Sequence, residues 1–387
     1  MNNFIFQYPT KVYFGKGCAK EYLCCLLKKQ GPVVMLAYGG GSLKQTGLYD
    51  QMMAILTEAG KTVVEFGGIM PNPTYAKVQE GAKLCREHQV DFILAVGGGS
   101  VIDCCKIVSA QAMLDEDIWE MEFTKREYPT QFIPMGCVVT ASGTGSEMNN
   151  GAVITHEEKK VKAGMMGAYN TFAMLDPEYT MTVPFKQVIS GAFDTLSHAM
   201  ETYFGKPHDR NNLSDDISEA VMRSVIANMR VLLTDHNSYE ARSELMWASA
   251  MAENGILKIG KQTDFQCHQM EHQLGAYTDC NHGQGLAVLH PVLYRHIYRE
   301  GIPKFKTFAV NVWGIDPAGK TDEELAAAGV EALAAFIKEM GLPTTFAEMG
   351  IFFDTDYKTI ADSCNLTVGC CKKLTREELL EIFLECR

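Results

Sequence analysis

Apolar residues in the first half of the chain fall into short β-rich runs separated by glycine turns and stretches of helical period. Val33 to Tyr38, Thr62 to Phe66 and Asp91 to Val96 read as strands, with helical patterns over Ser42 to Ala59 and Tyr75 to His88 between them. Strands alternating with helices in this way build a parallel sheet. Phe132 to Val139 and Phe172 to Leu175 add strands, and the strand signal fades near Pro184. Beyond it the pattern is one amphipathic helix after another, with explicit ends. Thr321 and Glu324 form a capping box, Gly341 and Pro343 stop that helix, and Thr375 with Glu378 repeats the device. Leu325, Val330, Leu333 and Ile337 make one buried stripe. The expected architecture is an α/β parallel-sheet domain over 1–184 followed by an all-α domain over 185–387.

A chain of 387 residues exceeds what one core usually organises, which agrees with two domains and a large cleft. The hydrophobic fraction of 47% and charged fraction of 21% are those of a globular protein, and no apolar run approaches the roughly eighteen residues of a membrane span. The opening MNNFIFQYPTKVYFGKG lacks the pattern of a secretion signal, so a cytoplasmic location is expected. A net charge of −12, with Lys159, Lys160 and Lys162 as the longest basic cluster, argues against nucleic acid as a partner. The thirteen cysteines include the adjacent pairs Cys24–Cys25, Cys104–Cys105 and Cys370–Cys371 but no metal knuckle among these pairs, and they suit buried, reduced thiols.

Ala95-Val96-Gly97-Gly98-Gly99-Ser100 follows a strand and precedes a helix over Val101 to Ala110. Glycines let the backbone approach an anion, and the first amides of the helix supply donors, so this turn suits a pyrophosphate in a Rossmann-like domain. It is neither the GxGxxG fingerprint nor a P-loop. A second triple glycine, Gly39-Gly40-Gly41, leads into Ser42 and Lys44 and carries no acid. An acid there would bind ribose hydroxyls, whereas a neutral loop with a lysine suits a 2′-phosphate, which favours NADPH over NADH. Thr140-Ala141-Ser142-Gly143-Thr144-Gly145-Ser146-Glu147 is a third, hydroxyl-rich turn, suited to a ribose or a nicotinamide amide.

Asp194 and His198 lie one helical turn apart, and His268 and His272 repeat that spacing, with His282 following ten residues later. These five side chains are candidates for about four ligand positions on one divalent cation. Nitrogen and oxygen ligands without a required thiolate suit Fe²⁺ or Zn²⁺. Cys267 points about 100° away from His268 on a helix and is read as lying outside the ligand set. His88, His156, His208, His236, His290 and His296 show no such pairing and are read as structural. Met148, Phe193 and Met270 near the motifs suit an apolar pocket or, equally, the core.

Taken together, GGGSxxDxxK from Gly97 to Lys106, TGSE from Thr144, LDP from Leu175, DTLSH from Asp194 and HxxxH with a later HG from His268 to Gly283 resemble the iron-containing alcohol dehydrogenases, in order and spacing along nearly the whole chain. YGGGS and TGSEMN resemble the branch of butanol dehydrogenases and broad-range NADPH-dependent aldehyde reductases. The resemblance implies metal ligands at Asp194, His198, His268 and His282, and leaves His272 beside nicotinamide and substrate as a catalytic residue, with Asp103. It implies cofactor contacts at Gly39, Gly40, Ser42, Gly97, Gly98, Ser100, Asp103, Thr140, Ser142 and Lys160, to which the charge of the first loop adds Lys44, with cofactor and metal in the cleft between the domains. Members with Asp in the first loop tend to prefer NAD, and this chain has none there. Thr140-Ala141-Ser142-Gly143 departs from the usual Thr-Leu-Pro/Ala-Ala, which bears on the nicotinamide pocket. A homodimer and an alcohol or aldehyde substrate are implied, with no nucleic acid or membrane partner. The alternative is a non-redox metalloenzyme on the related dehydroquinate-synthase-like scaffold. It would need a basic substrate pocket, and no Lys/Arg cluster lies near the metal motifs.

Overall fold

Val33–Tyr38 is buried along almost its whole length, as a strand covered by helices on both faces must be. It is β2 of a parallel sheet whose other strands are β1 (Lys11–Phe14), β3 (Thr62–Phe66), β4 (Phe92–Gly97), β5 (Met135–Val139) and β8 (Asn170–Leu175), in the order β1-β8-β5-β4-β2-β3. A separate antiparallel hairpin, β6 (Gly151–His156) and β7 (Val161–Met166), completes the strands. The computed structural model describes residues 2–207, 211–352 and 354–387. His208 lies outside them. The chain divides into one unit of residues 7–184 and another of residues 185–387 with 1–6.

The first unit carries α1 (Cys18–Leu27), α2 (Ser42–Gln45), α3 (Leu48–Glu58), α4 (Tyr75–Glu87) and α5 (Gly99–Gln111). The single helix expected over Ser42 to Ala59 is two helices, because Gly47 adopts a left-handed φ of 75° that stops α2 and admits α3. Pro134 delays β5 by three residues relative to the expected Phe132 start. The short edge strand β1 and the hairpin β6–β7 escaped the sequence reading, since four residues, or short strands that contain Gly151 and Gly164 and flank a charged turn, give little apolar signal. From β2 the chain leaves towards β3, and from β4 it leaves the other way towards β5. The direction of winding therefore reverses between two hydrogen-bonded neighbours, β2 and β4. In open parallel sheets a ligand crevice forms outside the carboxyl ends of such a pair.

The second unit is helical: α6 (Phe185–Tyr203), α7 (Leu213–Thr234), α8 (Tyr239–Glu253), α9 (Gln266–Thr278), α10 (His282–Ile297), α11 (Ile302–Asn311), α12 (Asp322–Glu339), α13 (Tyr357–Ser363) and α14 (Arg376–Glu385). Both expected capping boxes form, at Thr321 and Thr375; Val330, Leu333 and Ile337 are buried together in this unit's core, and Leu325 is buried as well. Phe193 and Met270 are fully buried in this unit's core, and Met148 is buried in the first unit with its sulfur accepting the Tyr8 hydroxyl. All three therefore serve packing and not a pocket. A buried ionic cluster braces α6 from below: Lys261 and Lys304 converge on Asp215, Lys304 Nζ at 2.6 Å, and Lys304 lies 4.5 Å from the ring centre of Tyr203. No helix among the described residues is long and apolar enough to cross a membrane.

Candidate functional site

The helix α6 is buried from Ala192 to Tyr203, so the carboxylate of Asp194 sits where a charge is expensive without compensation. Three imidazoles supply it. His198 Nδ1 stands 3.7 Å, His268 Nε2 3.5 Å and His282 Nε2 3.5 Å from the same oxygen, Asp194 Oδ1. These separations are too long for hydrogen bonds. Asp194 Oδ1, His198 Nδ1 and His268 Nε2 are buried without a hydrogen-bond partner among the described residues. Ligand bonds of about 2.1 Å set neighbouring ligand atoms about 3.0 to 3.4 Å apart around one ion, close to what is seen.

Asp194, His268 and His282 offer atoms within 4.8 Å of one another. His198 adjoins this group, its ring stacked on that of His268 at 4.6 Å. His272 belongs to a second group with Glu271 and His282. That group is held by a hydrogen bond between His282 Nδ1 and Glu271 Oε2, leaving Nε2 of His282 towards Asp194. Glu201 does the same for His268, pairing with its Nδ1 and accepting the backbone N–H groups of Cys267 at 2.7 Å and His268 at 3.3 Å. Each histidine is thus fixed in ring orientation and tautomer by a buried carboxylate. Burial opposes charge on Asp194, yet His198 and His282 hold it well below the usual carboxylate range. Burial likewise opposes charge on His268, but Glu201 and Asp194 push it up to about 10. The field that attracts a proton there attracts a divalent cation equally.

In the first unit, the turns that follow β2, β4 and β5 meet at the carboxyl edge of the sheet. Gly98, extended at φ −83° and ψ −169°, precedes α5, and a Cβ on it would come within 3.3 Å of Ala141. A Cβ on Gly97 would strike Val101, and one on Gly39 would lie 3.3 Å from the Ile69 carbonyl. Thr140 N–H donates to the Gly97 carbonyl at 3.0 Å, which fastens the third turn to the second. Backbone packed this closely, with the α5 amides at its centre, is a cradle for an anion.

A family model described as "Iron-containing alcohol dehydrogenase" matches residues 9–177, and one described as "Fe-containing alcohol dehydrogenase family, C-terminal" matches residues 188–386. The chain belongs to the iron-containing alcohol dehydrogenase family. It is 42% identical over 388 residues, 99% of each chain, to a protein named probable NADH-dependent butanol dehydrogenase 1 of Bacillus subtilis. Over 358 residues, 91% of this chain and 90% of the relative, it is 38% identical to the NADPH-dependent aldehyde reductase YqhD of Escherichia coli. A crystal structure described as NADH-dependent butanol dehydrogenase A of Thermotoga maritima superposes with a TM-score of 0.93 at 34% identity, covering 100% of this chain and 99% of that one. Membership makes the chain an NAD(P)-dependent alcohol dehydrogenase, and the lyase alternative falls away.

The unpartnered buried atoms and the imidazole–carboxylate donor set fit the divalent cation that an iron-containing alcohol dehydrogenase requires. Neither Cys267 nor Cys280 joins the donor group: the Cys267 thiol is buried in the core, and Cys280 Sγ donates to Glu271 Oε1 at 3.7 Å. Of the residues expected to contact the cofactor, Gly39, Gly40, Gly98, Thr140 and Ser142 lie in the three turns at the sheet edge, Gly97 ends β4, Ser42 and Lys44 lie in α2, and Ser100 lies in the first turn of α5. Asp103 sits deeper, on α5, where its carboxylate accepts the Ser146 hydroxyl and the Val153 N–H, the latter at 2.8 Å. It ties the TGSE turn and β6 to α5. Lys160 is exposed in the left-handed turn between β6 and β7, while Lys162 is buried. The LDP aspartate, Asp176, caps the turn after β8 and accepts the Gly17 N–H at 2.7 Å. The sequence reading missed Glu201 and Glu271. Glu201 lies one turn beyond His198 and Glu271 one turn beyond Cys267, so their places on the helices were visible in the sequence, but the histidines they pair with across helix boundaries were not.

Proposed function

We propose that this dehydrogenase interconverts a small aldehyde and its primary alcohol, with the cation held by Asp194, His198, His268 and His282 and with NADP(H) favoured over NAD(H). The observation that carries the reading is the convergence of three imidazole nitrogens on Oδ1 of the buried Asp194 at 3.5 to 3.7 Å. When bound, the cation, Fe²⁺ in preference to Zn²⁺, polarises the substrate oxygen as a Lewis acid, and the nicotinamide provides the hydride. Asp194 brings the anionic ligand. Glu201 and Glu271 hold the Nδ1 protons of His268 and His282 and so present each Nε2. His272, on α9 one turn past His268 and with its ring centre 5.6 Å from that of His282, serves as proton relay or holds the nicotinamide ribose. The turns at Gly39, Gly97 and Thr140 bind the cofactor, and Asp103 acts by holding the turn at Ser146.

NADP(H) is favoured because Lys44 and Ser42, and no acid, follow Gly39-Gly40-Gly41. The similarity to relatives named for NADH and for NADPH, for butanol and for aldehydes, supports a small aliphatic substrate. We also assign a homodimer, supported by Phe4, Ile5 and Phe6, of which Ile5 is 99% exposed. A cytoplasmic location is supported by thirteen free cysteines. The test is anaerobic purification with metal analysis, then an aldehyde panel with NADPH and NADH in parallel, and light scattering for the dimer. One bound iron per chain and aldehyde-dependent NADPH oxidation are expected. Iron-loaded protein that oxidises neither cofactor with any aldehyde overturns the reading.

A further inference from the structure

Lys44 does not stand alone beside the first glycine turn. Its Nζ lies 4.6 Å from the ring centre of Tyr49, 5.5 Å from that of Tyr38 and 3.9 Å from Glu65 Oε2. Both phenols donate to that carboxylate, Tyr38 to Oε2 and Tyr49 to Oε1, each at 2.7 Å. Tyr38 is the last residue of β2, immediately before Gly39, and Glu65 comes from the neighbouring edge strand β3, where its backbone is in register with Leu36. The acid that the first loop lacks in sequence is therefore supplied by another strand. Two phenol hydrogen bonds keep it fixed and below its ordinary pKa. The side chains of Lys44 and Glu65 are both about half exposed, so the pair is open to a ligand.

We propose that Glu65 sets how strongly this chain discriminates between NADPH and NADH, by competing with the 2′-phosphate of NADPH for Lys44. The inference rests on the assignment of the glycine turns to the nicotinamide cofactor. A phosphate dianion near Lys44 is attracted by the ammonium and repelled by Glu65 a few ångströms away, whereas the ribose hydroxyls of NADH carry no charge and donate to a carboxylate without penalty. The pair thereby lets the turn accept both cofactors. Removing the carboxylate charge releases Lys44 for the phosphate. Removing the lysine leaves the phosphate facing an acid.

The experiment is titration of NADPH and NADH onto purified full-length protein, followed by the fluorescence of the reduced nicotinamide, without substrate. Glu65→Gln keeps the shape, with an acceptor for one phenol and an N–H group that donates to the oxygen of the other. It is expected to lower the ratio of the NADPH Kd to the NADH Kd by about two- to fivefold, the range of an exposed charge pair. Lys44→Met should raise that ratio. In the Lys44→Met background the Glu65→Gln effect should be smaller, because only the direct repulsion between Glu65 and the phosphate remains there. A brace for Tyr38 and Tyr49 alone would change both affinities alike. Thus an unchanged ratio in Glu65→Gln, or a Glu65 effect as large without Lys44 as with it, overturns the proposal while the cofactor assignment stands. Wild-type protein that binds neither nucleotide overturns both.

Discussion

Glu201 grips His268 twice, accepting its ring Nδ1 proton and its backbone N–H at the first turn of α9. One carboxylate from α6 therefore sets both the position of that helix start and the rotation of the imidazole it carries. The N-terminal amides of α9 favour the negative charge, which offsets part of its burial. Glu201→Gln keeps one acceptor but loses the charge that binds the Nδ1 proton. The expected outcome is a fall in metal affinity of about 10- to 100-fold, measured anaerobically by competition with a chromophoric chelator. Equal affinity in variant and wild type would remove Glu201 from the site.

The two histidines of α9 are expected to separate in their effects. His268→Ala removes a nitrogen 3.5 Å from Asp194 Oδ1 and should abolish metal content and turnover together. His272→Ala should retain the metal and lower kcat or cofactor affinity. Metal analysis alongside steady-state kinetics reads both. Full metal in the first variant, or none in the second, would reverse the assignment made for them.

Local spacing made the candidate ligands legible and left the carboxylates that support them dark. Asp194 with His198, and His268 with His272, are each one turn apart on one helix, a pattern carried within five residues. The support of His268 by Glu201 links α6 to α9, and that of His282 by Glu271 links α9 to α10. Contacts between helices leave no periodic trace. The same holds in the sheet, where β2 and β4 were visible as apolar runs but the acid beside Lys44 belongs to β3. Gly47 could be seen in the sequence, yet its left-handed φ, which divides α2 from α3, could not. Apolar side chains near the motifs were ambiguous for a related reason: Phe193 and Met270 line the core because α6 and α9 pack across it, a fact of tertiary arrangement.

Glu147 of the TGSE turn is buried, and burial pushes its carboxyl up from 4.5 to about 7, against some relief from Lys106. The folded state thus holds this proton more tightly than the unfolded chain. The stability it contributes is fully present below the unfolded pKa and is lost as pH rises through about 7. From pH 5 to 8 the loss from this one group should be about 2 to 3 kcal/mol. Glu147→Gln removes the titration, so its stability curve should be flatter over that window. Denaturant melts at each pH measure the slopes, and parallel curves would show that Glu147 stays charged in the fold.

Gly283, next to His282, is required by the approach of α10 to α6. A Cβ there would lie 2.2 Å from the Ser190 carbonyl oxygen and 2.7 Å from its hydroxyl, so backbone itself would have to move. The junction is already tight, since the Ser190 hydroxyl donates to Asn281, whose side chain caps α10 by accepting the Gln284 N–H at 3.1 Å. Gly285 serves the next contact, where a Cβ would stand 2.9 Å from Cγ of Glu271, the carboxylate that holds His282. Gly283→Ala should therefore push the start of α10 away from α6 and lengthen the 3.5 Å separation of His282 Nε2 from Asp194 Oδ1. Overpacking of this kind costs about 1 to 3 kcal/mol. The variant is expected to fold with a lower melting temperature and to bind metal more weakly, whereas Gly314→Ala, at a left-handed turn with open space around it, should lose stability with metal affinity unchanged. Calorimetry with chelator competition on both variants separates the outcomes, and equal metal affinity in the two would show that α10 has room to adjust without disturbing His282.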